Sequence, residues 1–491
     1  MNTSSHKKPL FIKSNYPIKI VQFGEGNFLR AFVGDVIHQL NQKTNFNGGI
    51  AVVQPIANGL ISELERQGGA YNLFLNGIQE GKELREKILI ENIVTTNNPY
   101  EDFNSFLGLA KIPELEFIFS NTTEAGIAFD PTDKFDATPP QSYPAKLTRW
   151  LWERFTHFEG GSNAGLYIIP CELINYNATT LKKIILQYVD LWELEGQFKE
   201  WIQNAITFCN SLVDRIVPGY PKENLSFYEN QLEYKDALLV TAEPFFLWVI
   251  EGDECLKEKL GVSQINLDVK IVKDLQSYRT QKVRILNGAH TALVPLSILY
   301  GHQMVSDIFT SSFTKSFLED TIRNEVAPTL DMDRASLHQF TEAVFDRFKN
   351  PFIKHYLASI ALNSISKFKV RVLPSLLAYQ EKNGLLPPHL VFSFGCLLRF
   401  YKGSWNRSEL PVQDDKKVVE EFENLWKKNN SKIVVSKVLS KKEFWDQDLT
   451  QIPNLAVQLE DILDFLASEN IESAYNNYIN KYDYKKSIFK N

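Results

Sequence analysis

Residues 18–37 read IKIVQFGEGNFLRAFVGDVI: a short apolar run, a Gly-Glu-Gly break, then apolar residues at helical spacing. The run from Ile18 to Phe23 has the composition of a strand, and the stretch from Asn27 that of an amphipathic helix. A glycine turn between a first strand and a first helix is where a dinucleotide fingerprint operates. Gly24 permits the tight turn, and Gly26 lets backbone amides approach a pyrophosphate at the positive end of the helix. Leu29 stands where a third glycine is usual, so a plain strand-to-helix turn without a ligand is the alternative.

Working outward, short apolar runs begin at Gly49 (GIAVVQPI), Leu115 (LEFIFSN), Ala164 (AGLYIIP) and Ala237 (ALLVTAE), separated by helical stretches. This alternation is that of βαβ units around a mostly parallel sheet, so the expected class is α/β, Rossmann-like and doubly wound. A ribose-binding acid is expected at the end of the second strand, about twenty residues past the glycines. That strand instead ends VVQPIANG, with Gln54 and Asn58, and the nearest arginine, Arg66, lies further along. Residue chemistry therefore leaves NAD and NADP open. A third element, FSNTTEAG, puts Ser120 to Glu124 at a strand's carboxyl end, the side that lines the cofactor crevice in such sheets.

The second half reads as helices, for example SLHQFTEAVFDRFKN and FIKHYLASIALNSISKF, with Pro374, Pro387 and Pro388 as breaks. The expected division is a dinucleotide-binding domain over 15–268 and a mostly α-helical substrate domain over 269–491. A formal charge of −6 with no long basic run argues against nucleic acid or an anionic membrane as partner. The four cysteines have no CxxC spacing, and the eight histidines no HxH or HxxxH spacing, so neither metal nor disulfide framework is expected. No run of eighteen apolar residues occurs and the first residues lack a leader's apolar core, so a cytoplasmic protein without a membrane span is expected.

Within KVRILNGAHTALVPL, Lys282, Asn287 and His290 lie at offsets of five and eight. A lysine, an amide and an imidazole in one apolar segment are parts for moving a proton on a carbonyl or alcohol oxygen. On a regular helix Asn287 and His290 share a face, with Lys282 one to two turns upstream. The plainer alternative is a buried helix with a snorkelling lysine and a satisfied core histidine.

Three patterns together, GxGxFxRA at Gly24–Ala31, TxE at Thr122–Glu124 and KxxxLNGxH at Lys282–His290, resemble the mannitol dehydrogenase family of polyol-specific long-chain dehydrogenases. VDRIVPGYP, AEPFFLWVIEG and SKFKVRVLP follow in the family's order, so the resemblance spans nearly the whole chain. It implies NAD(H), no metal, and cofactor binding by Phe23, Gly24, Glu25, Gly26, Asn27, Phe28, Leu29, Arg30, Ala31, Thr122 and Glu124. It also implies Lys282 as general acid/base, Asn287 as donor to the alkoxide and His290 as an orienting group. A free lysine titrates near 10.4, so such a site must lower its pKa by desolvation or a neighbouring cation.

The family's second amide, in a CDN sequence, is absent: here Cys171, Glu172 and Leu173 stand in order, leaving Asn175 or Asn177 as substitutes. Other stretches, RFKNPFIKHYLASIALN among them, are most similar to members acting on keto-uronates. The implied reaction interconverts tagaturonate and altronate in galacturonate breakdown, with fructuronate or mannitol-type polyols as alternatives. Such a substrate carries a carboxylate, whose expected partners are Arg279, Arg284, Lys354, His355, Lys367 and Arg371. A dinucleotide-binding protein without chemistry is the reading from a different class.

Overall fold

The structure is a computed structural model that describes residues 14–232, 234–428 and 430–482. The amino-terminal stretch read for a leader lies, through Lys13, outside the described residues. The chain divides into two compact units between Leu275 and Gln276.

The first unit is built on a six-stranded sheet. Its strands are β1 (Ile18–Phe23), β2 (Gly49–Val53), β5 (Ile93–Asn97), β6 (Phe117–Ser120), β7 (Tyr167–Pro170) and β8 (Thr207–Phe208). The order is β5-β2-β1-β6-β7-β8 and every pairing is parallel. This is the doubly wound order, with the direction of winding reversing at β1. Alternate residues explain why both faces are covered. Ile20, Val52, Phe117 and Phe119 pack with Val33, Val36 and Ile37 of the helix α2 (Val33–Lys43). Val21, Phe23, Val53 and Ile118 pack on the other side with Leu147, Trp150, Leu181 and Ile185 from the helices Tyr143–His157 and Asn177–Leu191.

Two smaller sheets complete this unit. β3 (Tyr71–Gln79) and β4 (Lys82–Ile90) form an antiparallel hairpin, and β10 (Val240–Ala242) pairs in parallel with β3. The run from Ala237, which in sequence resembles the other parallel strands, thus belongs to a separate sheet. The hairpin is not legible as strands in the sequence, because KELREKILI is charged at most positions and leaves its residues largely exposed. β11 (Leu247–Glu251) runs antiparallel to β9 (Ser211–Asp214) and parallel to β12 (Val269–Val272). That last pairing carries the first unit past residue 268.

The second unit is helical. The segment Gln276–Tyr300 begins as an α-helix, passes through a π-helical stretch at Lys282–Asn287 and resumes as the α-helix Gly288–Tyr300. A second π-helical stretch, Thr321–Val326, contains the buried Glu325. Its carboxylate accepts the His389 and Leu390 backbone N–H groups at 2.8 and 2.9 Å, capping the helix Pro388–Phe400. The His389 ring lies between Glu325 and Tyr475, at 2.5 and 2.8 Å. Among the described residues no helix is long and apolar enough to cross a membrane, and no group of histidines, cysteines and carboxylates could hold a metal ion.

Candidate active site

In the first unit the turn after β1 is held from several directions. Gly24 has φ +120°, and a Cβ there would sit 3.1 Å from Leu29 and 3.2 Å from the Asn121 carbonyl, so only glycine fits. Leu29, in place of the third glycine, is buried and packs against this turn. Gly26 precedes the short helix α1 (Asn27–Ala31), and a Cβ on it would meet nothing within 4 Å, so its backbone faces open space. Phe23 is fully buried, Ala31 likewise, and half-buried Phe28 stacks on Phe32 at 4.9 Å.

Arg30 does not face solvent. Its guanidinium is buried, donates to the Glu25 carbonyl and to Asn27 Oδ1 at 2.8 Å, and lies 5.6 Å from the centre of the Tyr71 ring. Burial pulls its pKa down, yet it stays a cation that pins the turn into shape. A fully buried ion pair, Arg215 to Asp35 at 2.7 Å, also ties Arg215 to the Ala31 carbonyl where α1 meets α2.

Glu172, just past the end of β7, organises the loop that follows β6. Its two oxygens accept from Ser120 Oγ, Thr122 N and Thr122 Oγ1, each at 3.0 Å. Burial raises the Glu172 pKa and these donors lower it. Thr123, a β-branched residue at φ +84°, is held in a conformation such residues rarely adopt, the kind of strain that concentrates at functional loops. The Glu124 side chain lies outside what the structure describes. An open glycine backbone after β1 beside a fixed polar loop after β6 fits a dinucleotide at the point where the sheet's order reverses.

Asn177 lies elsewhere in function. It is fully buried; its Nδ2 donates to the Pro170, Glu172 and Ser211 carbonyls, and its Oδ1 accepts from Ala178 N and Ser211 N. Its hydrogen-bonding capacity is spent on backbone, so the structure withdraws it from the substrate-binding candidates. Leu173 and Asn175 are exposed.

In the second unit, the π-helical stretch changes the geometry of the trio. On an α-helix residues five apart point about 140° away from each other. The i→i+5 bonding of a π turn stacks them instead, so Lys282 and Asn287 fall on one face. Both are half-buried. Gly288 allows a close approach next to them, since a Cβ would come within 3.1 Å of the Arg371 carbonyl on the helix Ser364–Arg371.

The His290 ring lies 4.1 Å from Phe348 and 5.1 Å from His355, centre to centre. It donates to the Leu286 carbonyl, while Nε2 is buried without a partner. Its pKa is pushed well below the usual imidazole value by burial, then by His355, Arg347 and Arg371. His290 is therefore neutral near pH 7 and offers an acceptor lone pair at Nε2. Burial, then Arg347, likewise lowers the His355 pKa. Lys367, lowered by burial and Arg371, donates to the Ile360 carbonyl at 2.9 Å.

The structure thus gathers His355 and Arg371 near His290, adds Arg347, which no sequence pattern singles out, and sets Lys367 within the field of Arg371. Lys354 is exposed. Arg284 donates to Ser375 Oγ at 2.8 Å, and Arg279 lies on the short helix Gln276–Gln281.

The mannitol dehydrogenase Rossmann-domain model matches residues 18–264, and the mannitol dehydrogenase C-terminal-domain model residues 274–467. Altronate oxidoreductase of Klebsiella pneumoniae is 45% identical over 470 residues, 94% of this chain and 97% of that protein. The enzyme of the same name from Escherichia coli K12 is 44% identical over the same shares. Substrate-free D-sorbitol dehydrogenase superposes with a TM-score of 0.78 at 20% identity, covering 95% of this chain and 96% of that one. Pseudomonas fluorescens mannitol 2-dehydrogenase, in complex with NAD and D-mannitol, gives 0.64 at 19%, covering 96% of each. At these identities the two structures show a common fold.

Proposed function

The chain belongs to the mannitol dehydrogenase family, and from that premise we propose that it is an NAD(H)-dependent oxidoreductase interconverting D-tagaturonate and D-altronate. A dehydrogenase of CH–OH groups with a nicotinamide cofactor follows from the family. The substrate rests on the altronate oxidoreductase relatives and on one observation of this chain: cationic and imidazole groups gather around His290, where a carboxylate would be met.

The chemistry divides among few residues. The bound nicotinamide supplies or takes up hydride. During reduction the Lys282 ammonium gives its proton to the keto oxygen, and in oxidation the lysine takes the hydroxyl proton. Asn287, stacked on Lys282 by the π turn, donates its amide to the same oxygen as charge develops there. Neutral His290 accepts from a substrate hydroxyl or from Lys282 and holds it in line. Arg347, Arg371, His355 and Lys367 receive the carboxylate; Lys354 is exposed and Arg284 is engaged by Ser375. With Leu173 where a second amide stands in the family, Lys282 and Asn287 carry the oxygen between them.

A cytoplasmic location and a role in galacturonate catabolism belong to the same proposal, supported by four free cysteines and by the relatives' substrate. Assays of the purified protein with NADH and tagaturonate, fructuronate or fructose test it. Turnover of tagaturonate above the other two is expected. Equal or better turnover of fructose overturns the uronate assignment, and preference for fructuronate moves it to the neighbouring reductase.

A further inference from the structure

The expected ribose-binding acid is missing from the end of β2, yet a carboxylate occupies that place. Glu25, the middle residue of the Gly-Glu-Gly turn after β1, is 6% exposed, and its Oε1 accepts the Leu60 backbone N–H at 3.2 Å, on the loop that follows β2. A Cβ on Gly59 of that loop would overlap both Glu25 Oε1 and Gln54 Oε1, so both side chains lie directly against it. Gln54 fastens the loop by donating to the Ile56 and Ala57 carbonyls at 3.0 and 3.2 Å.

The carboxylate has acceptor capacity left over. Besides its own N–H and that of Leu60 it holds no donor among the described residues, and the Arg30 guanidinium turns to the Glu25 carbonyl rather than to its side chain. Burial pushes its pKa up, as for any carboxylate short of donors. In a doubly wound sheet the adenosine ribose sits at the carboxyl end of the second strand, and its vicinal hydroxyls are two donors on adjacent carbons.

We propose that Glu25 is the ribose-binding acid of this enzyme, delivered from the glycine turn instead of from β2, and that it sets the preference for NAD(H) over NADP(H). The inference rests on the dinucleotide reading above and gives one residue of that turn a defined role. A 2′-phosphate at this place meets a buried carboxyl group whose oxygens offer it no donor, only the acceptors that suit a ribose hydroxyl. Arg66, the first arginine past β2, is exposed and paired with Glu63 at 2.6 Å, while Arg30, whose charge already acts on Glu25, has its guanidinium engaged by the Glu25 carbonyl and Asn27 Oδ1.

Titrating the enzyme without substrate, with NADH and separately with NADPH, tests this through energy transfer from protein to nicotinamide. The wild-type protein is expected to prefer NADH. Glu25→Gln, which keeps an acceptor for Leu60, should weaken NADH about tenfold, the loss of a charged hydrogen bond, and leave NADPH unchanged or improved. Glu25→Asp should lose affinity but keep the preference. Equal losses for both cofactors in Glu25→Gln mean that the residue only shapes the loop, and a change under twofold for NADH removes its role; either result overturns the proposal. A wild-type protein that prefers NADPH overturns it alone, whereas one that binds neither dinucleotide overturns the cofactor reading as well.

Discussion

Lys282 and Asn287 are five residues apart, and it is the π-helical bonding of six residues that brings them toward one face. Replacing Lys282 with alanine should lower kcat about a hundredfold or more while NADH affinity stays within twofold, because the glycine turn is built by other residues. Stopped-flow turnover beside a cofactor titration checks both halves of that statement. Arg347→Gln should raise KM for tagaturonate about tenfold and leave any turnover of fructose, which lacks a carboxylate, unchanged.

His290 has a consequence for stability. Its folded pKa lies well below the ordinary imidazole value, so below pH about 6.5 the unfolded chain takes up a proton that the folded chain refuses. Stability is therefore lost as pH falls from about 7 to 5, and His355 acts in the same direction. Thermal unfolding of His290→Asn across that range should show a flatter pH dependence than the wild type; an unchanged slope contradicts the assignment. Arg347 was illegible in sequence because it sits in the last turn of the helix Arg334–Lys349, where a basic residue ordinarily complements the helix end in solvent. Asn177 misled for the opposite reason, since an amide near a strand end has the same letters whether it meets a ligand or closes the backbone.

Among the elements, β1, β2, β6 and β7 were legible because strands buried on both faces must be continuously apolar. The π turn was not, because a change from i→i+4 to i→i+5 bonding leaves no mark in composition. Glu325 is a second case of a local irregularity that serves the fold. Both its oxygens satisfy amides at the start of the helix Pro388–Phe400, where Pro387 and Pro388 leave few capping options. Glu325→Ala should destabilise the protein by about 3 kcal/mol, read as a lower chemical-denaturation midpoint, since it strands two buried N–H groups and the His389 ring together. A loss under about 1 kcal/mol means that water replaces the carboxylate.

At the scale of the molecule, residues distant in sequence hold the glycine turn and the loop beside it: Tyr71 donates to the Arg30 carbonyl, and Glu172 accepts from the loop after β6. NADH at a hundredfold its Kd should then stabilise the folded first unit by about 2.7 kcal/mol, seen as a raised Tm that NADPH at the same concentration reproduces poorly. The two-unit organisation was readable from the shift in residue pattern near residue 270; the supporting sheets were not, because the charged β4 hides the hairpin and β3 pairs with β10 across a long stretch of chain.

The hairpin strand β4 has one further effect. It forms the rim of its sheet and carries Lys82, Glu83, Arg85, Glu86 and Lys87 in a row of nine residues. A strand from another chain that docked there would have to match the charges of Lys82–Lys87, so among the described residues this rim carries the kind of side chains that discourage a further strand from adding to the sheet.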